Sequence, residues 1–238
     1  MPVDILAIAA HRDDVELTCA GTLLKAVDAG YRAGVLDLTA GESATRGDAE
    51  LRAKEAAQAA EVLGLAERRN AGLPDAHLEN TDRTRRVVIE HLRYFAPQVV
   101  ILPFPVGRHP DHRIASELGR DACFLAGLAK YHADGTPYRP RKVLYALAYR
   151  EDPIKPTFVV DISGQFDRKL SAIRCYASQF DGVQAAGEIF PTGQDLYSLV
   201  ETQNAHYGSL IRCRYGEPFF THETMMVEDV VALGVRSM

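Results

Sequence analysis

Short apolar runs alternate with longer amphipathic segments along most of the chain, and few folds accept that order. Residues 4–10, Asp-Ile-Leu-Ala-Ile-Ala-Ala, are almost wholly apolar, as expected of a strand buried on both faces. Residues 17–30 read as a helix, because Leu17, Leu23, Leu24 and Val27 can share a face and Gly30 suits the stop. A strand at 33–38, a Gly/Ser/Thr-rich loop at 39–48 and an Ala-rich helix at 49–63 ended by Gly64 follow. Next come a short strand at 68–71, a helix at 82–95 stopped by Pro97, a strand at 98–102 and a helix at 110–128. Pro110 suits the first position of that last helix. Strands at 142–148 and 157–162 and helices at 164–178 and 194–213 complete the pattern. Repeated strand–helix order predicts an α/β fold, a mostly parallel sheet with helices on both faces. One domain over residues 1–238, with a C-terminal extension, is expected from the absence of a repeat or linker.

The chain has 238 residues, 47% hydrophobic and 25% charged, enough for a sizeable core. A net charge of -5 offers no basic footprint for nucleic acid. No apolar run is long enough for a membrane span, and the N-terminus lacks a basic segment before its short apolar stretch. A cytoplasmic location is therefore expected. The four cysteines form no CxxC pair, so neither a Cys-based zinc site nor a redox pair is indicated.

Ligands of open α/β sheets bind beyond the carboxyl ends of the strands. Two His/Asp clusters fall at such ends. Residues 10–16, Ala-His-Arg-Asp-Asp-Val-Glu, directly follow the first strand, and residues 107–113, Gly-Arg-His-Pro-Asp-His-Arg, shortly follow 98–102. Catalytic zinc commonly takes three His or carboxylate ligands and leaves one position open. His11 and Asp14 lie three apart, so a tight turn can aim both at one ion while Asp13 points beside it. His112 is the best third ligand, and His109 can face the same cavity without binding. Such ligands suit iron as well as zinc. A metal-free nucleotide or sugar-phosphate binding protein is the competing reading, but neither G-x-G-x-x-G nor a P-loop motif is present.

The first cluster resembles the AHPDD-x-E signature of the PIG-L/LmbE deacetylases, and His109-Pro-Asp-His112 matches their HPDH motif. Leu36-Asp-Leu-Thr39, Arg52-Ala-Lys-Glu-Ala56 and Gly72-Leu-Pro-Asp75 are also similar to that family. Tyr215-Gly-Glu-Pro-Phe219 is similar to the branch that deacetylates N-acetylglucosaminyl malate during bacillithiol synthesis. The resemblance implies a Rossmann-like fold, hydrolysis of an N-acetyl group from an amino sugar, and a homo-oligomer, trimer or hexamer. It implies His11, Asp14 and His112 as zinc ligands and Asp13 as general base. His109 would assist the oxyanion or the leaving amine, with Asp111 orienting His109 and raising its pKa. Arg52 and Arg108 are candidates for binding a substrate carboxylate. Glu16 stands either behind the site or near the next helix N-terminus. Arg12 replaces the proline usual in the motif. Its charge is expected to lower the Asp13 pKa if it lies close, and to be screened if it points into solvent.

Overall fold

The computed structural model describes residues 1–44, 46–147, 154–181 and 195–235. Its sheet has seven strands in the order β3-β2-β1-β4-β5-β7-β6. These are β1 (Ile5–Ala9), β2 (Ala33–Thr39), β3 (Glu67–Leu73), β4 (Val99–Pro103), β5 (Lys142–Ala146), β6 (Phe158–Asp161) and β7 (Gly216–Phe220). The helices are α1 (Asp14–Thr18), α2 (Ala20–Asp28), α3 (Ala49–Leu63), α4 (Asp82–Phe95), α5 (Pro110–Leu125), α6 (Phe166–Arg174), α7 (Ala177–Phe180) and α8 (Leu196–Leu210). The first five strands pair in parallel, and β7 runs antiparallel to both β5 and β6.

Alternation along the central strands divides the core. Leu6 and Ile8 of β1, Leu36 and Leu38 of β2, and Val100 and Leu102 of β4 pack with Leu92 and Phe95 of α4 and Leu118 of α5. Ala7, Ala9, Val35 and Ile101 face the other way and meet Val15 and Leu23. Each fully buried large apolar side chain contributes about 1.5–3 kcal/mol of transfer free energy. The chain moves outward from β1 through β2 to β3, then returns to pair β4 on the opposite side of β1. The strand order thus reverses between β1 and β4, and the loops that follow them border one crevice.

Local chemistry sets most helix ends where the sequence predicts them. The Asp48 side chain accepts from the Leu51 amide, and Gly64 closes α3 at a φ of 66°. Thr81 and Thr84 form a reciprocal cap on α4. His109 caps α5, with Pro110 at its start.

The helix expected at 164–178 is divided into α6 and α7 at Cys175 and Tyr176, and two further features differ from the sequence reading. The helix expected at 17–30 begins at Asp14 and breaks at Cys19. Glu217 accounts for that break. Its carboxylate accepts from the amides of Gly21 and Thr22, at 2.9 and 2.7 Å, and from the Thr22 hydroxyl. Lys169 pairs with Glu217 at 2.6 Å and also donates to the Leu17 carbonyl, and both charged side chains are fully buried. The second difference is β7, which inserts between β5 and β6 where only an extension was expected. There the backbones of α8 and β7 nearly touch: a Cβ on Gly208 would stand 2.8 Å from the Arg214 carbonyl carbon. The expected strand end at 148 and helix start at 194 lie outside the described residues. No helix among the described residues is long and apolar enough to cross a membrane. All four cysteines are free, with Cys19 and Cys123 buried.

Candidate metal and catalytic site

The turn after β1 and the start of α5 meet at the reversal of strand order. His11 Nδ1 stands 3.4 Å from Asp14 Oδ2 and 3.3 Å from His112 Nε2, and His112 Nε2 stands 3.1 Å from Asp14 Oδ1. Ligands bound tetrahedrally at about 2.0–2.1 Å lie roughly 3.3–3.4 Å apart. The two histidine nitrogens match that spacing, each meets a different Asp14 oxygen, and one donor from each side chain lies within 4.8 Å of the others, a set that could hold a metal ion. The charges agree with that fit. Burial opposes a charge on His11, yet the Asp14 hydrogen bond and the carboxylates of Asp14, Asp13 and Asp75 lift its pKa to about 9. Burial likewise opposes ionisation of Asp14, but His112 and His11 hold it well below the usual carboxylate range. A concentration of carboxylates that draws protons onto its imidazoles also draws a metal cation.

Asp75 was not anticipated as a site residue. Its Oδ1 lies 3.1 Å from His11 Nε2, and Asp111 Oδ2 lies 3.5 Å from the same nitrogen. A carboxylate on Nε2 fixes that nitrogen as the N–H and leaves the Nδ1 lone pair facing Asp14 and His112. Asp75 is itself held by the amide of Ser43. The Ala76 amide donates to both Asp75 and Asp111, and Ala76 takes a φ of 61°, a strained value for a residue with a side chain. The signal for Asp75 is its place just beyond β3, a third strand end on the same edge.

Asp111 therefore differs from expectation. Its carboxylate binds the Ala76 amide and approaches His11, whereas His109 receives the backbone amide of Asp111 on Nδ1, at 3.2 Å. An acceptor at Nδ1 leaves Nε2 of neutral His109 as the N–H donor. Burial, with the neighbouring His112 and His11, lowers the His109 pKa instead of raising it. The His109 ring stacks on His112 at 4.8 Å between centroids.

Asp13 lies at the start of α1. Burial pushes its carboxyl up, while Arg52 pulls it down. Arg52 is buried, with Nη2 3.1 Å from Asp13 Oδ2 and Nη1 donating to the Gly41 carbonyl. That placement departs from the expected carboxylate-binding role, because the guanidinium is already engaged by Asp13. Gly41, at a φ of 73°, leaves the room Arg52 occupies: a Cβ there would stand 2.1 Å from Nη1. Arg108 is exposed beside His109. Arg12 turns away to the Ala49 carbonyl, 2.7 Å distant, and it is Arg52 that acts on Asp13. Glu16 is fully buried and pairs with Arg68 at 2.6 Å, and burial carries its pKa to about 7.

The chain is similar to several known proteins. Residues 6–123, which contain both His/Asp clusters, match the family model described as PIG-L, GlcNAc-PI de-N-acetylase. The chain is 30% identical to diacetylchitobiose deacetylase of Thermococcus kodakarensis, over 90% of this chain and 80% of that one. It is also 30% identical to the probable N-acetyl-alpha-D-glucosaminyl L-malate deacetylase 2 of Bacillus anthracis, over 74% and 81% of the two chains. The conserved protein TT1542 of Thermus thermophilus superposes with a TM-score of 0.85 at 36% identity, covering 95% and 98%.

Proposed function

The chain belongs to the PIG-L de-N-acetylase family, and on that premise we propose that it removes the N-acetyl group of a GlcNAc conjugate with a zinc ion held by His11, Asp14 and His112. The observation that carries this reading is the approach of one donor atom from each of His11, Asp14 and His112 to within 4.8 Å of the others, with the Asp13 charge acting on both imidazoles and His109 stacked on His112. Zinc bound there supplies a Lewis acid for the amide carbonyl and lowers the pKa of water. Asp13, whose charge acts on both His11 and His112, is our assignment for the group that takes the proton of the attacking water. Arg52 holds that carboxylate in one orientation. His109 offers its Nε2–H to the carbonyl oxygen as negative charge develops on it. The departing amine then collects the proton held by Asp13.

For the rest of the substrate, N-acetylglucosaminyl malate is the reading supported by the Bacillus relative and by exposed Arg108, the chain neighbour of His109. Two other supports fall away. Arg52 is occupied, and Glu217 of the 215–219 motif is buried in the Lys169 pair. Diacetylchitobiose is the second reading, favoured by the relative that matches 90% of the chain. Acetate release from GlcNAc, N-acetylglucosaminyl malate, N-acetylglucosaminyl inositol and diacetylchitobiose separates them. On the first reading the malate conjugate shows a kcat/KM at least about tenfold above GlcNAc, the effect of one charge-assisted contact. Equal values for those two, with diacetylchitobiose foremost, refute the malate reading. No acetate from any of the four, with zinc bound, refutes the GlcNAc reading itself.

A further inference from the structure

We propose that Arg68 is a positioning residue for the metal-ligand turn, fixing the Arg12 carbonyl and thereby the spacing of His11 and Asp14. The proposal rests on the metal reading above.

Arg68 projects from β3 beneath the turn and is almost fully buried, its side chain 7% exposed. Four of its N–H groups have acceptors on three different elements. Nε and Nη2 grip Asp37 of β2 bidentately, each at 2.8 Å. Nη1 donates to Glu16 of α1 at 2.6 Å, and Nη2 also donates to the Arg12 carbonyl at 2.5 Å. Asp37 and Glu16 thus aim the guanidinium, and the guanidinium holds the turn. The Tyr176 hydroxyl donates to the same carbonyl from the segment before α7.

The remaining backbone of the turn is tied as well. The Ala10 carbonyl accepts from the amide and hydroxyl of Thr39, and the His11 amide donates to Asp14 Oδ2 at 2.8 Å. Arg12 is the turn's midpoint, with one ligand before it and the other two residues after it. It lacks the fixed φ of a proline. Its carbonyl is therefore the handle through which the fold can set the ligand turn, and Arg68 is the charged group on that handle.

Lysine at 68 keeps the charge but cannot present a planar fork to these acceptors. The triple variant Arg68→Met/Asp37→Asn/Glu16→Gln removes the clamp and leaves no unpaired buried charge. Purified full-length wild type, both variants and a His11→Ala control are stripped of metal. Zinc affinity is then read by competition with a chelating dye, beside the thermal midpoint of each metal-free protein. We expect zinc to bind about 10–100-fold more weakly in both Arg68 variants. The metal-free midpoint of Arg68→Lys should stay within a few degrees of wild type, and at saturating zinc kcat should fall while KM holds. Wild-type zinc affinity in a folded variant overturns the proposal. Loss of the fold in both variants also overturns it, making Arg68 a folding residue. Wild type that takes up no more zinc than His11→Ala overturns the metal reading instead.

Discussion

Asp13 and Asp14 are chemically identical neighbours that the fold separates by what surrounds them. Asp14 lies between two imidazoles, whereas Asp13 meets a single guanidinium. Removing that guanidinium tests its role. Arg52→Ala should lower kcat about tenfold or more on every substrate alike, the usual effect of losing a charge-assisted hydrogen bond. Gly41→Ala, by driving a methyl group into Arg52, should do the same with zinc still bound. Because both act through one contact, the double variant should be little worse than either single one. A selective loss of activity on the malate conjugate would instead return Arg52 to the substrate. His109→Ala should cost about 10²–10³ in kcat with zinc retained, the range for one oxyanion donor. Zinc lost from that variant would make His109 a ligand. The convergence of His11, Asp14 and His112 was legible because His/Asp clusters at two strand ends leave few other meanings. Asp75 and Arg68 were not, since one acid and one arginine acquire their roles from His11 and the Arg12 carbonyl, far back in the chain.

Elements governed by local chemistry read well, and those governed by distant partners did not. Helices α3 and α4 have the expected bounds because Asp48, Gly64 and Thr81 stand at their ends. The break between α1 and α2 depends on Glu217, nearly two hundred residues further on. Strand β7 was read as a motif because Gly-Glu-Pro-Phe-Phe lacks clear alternation and contains a proline, uncommon inside a sheet. The buried Lys169–Glu217 pair joins α6 to β7 and caps α2 at once. Lys169→Met and Glu217→Gln should each destabilise by about 3–5 kcal/mol, measured by urea unfolding, since each leaves a buried group without its partner. The double variant should cost clearly less than the sum of the two. Strict additivity would show that the charges are not coupled.

At the scale of the whole molecule, sheet topology brings the proposed active centre together. Strand order reverses between β1 and β4, and the two crevice-lining segments that follow them carry the proposed ligand set. Alternating segments foretold the parallel sheet, but the antiparallel β7 and the partner at the sugar's far end depend on contacts that spacing does not encode. The central claim is that neighbouring carboxylates divide the work, Asp14 binding metal and Asp13 moving a proton. Zinc content and acetate release, measured on the same preparations of Asp13→Asn and Asp14→Asn, test it most directly. Asp13→Asn should keep about one zinc per chain and lose about 10²–10⁴ in rate, the range for a general base. Asp14→Asn should lose metal and activity together. Zinc lost from Asp13→Asn but kept by an active Asp14→Asn would contradict the assignment.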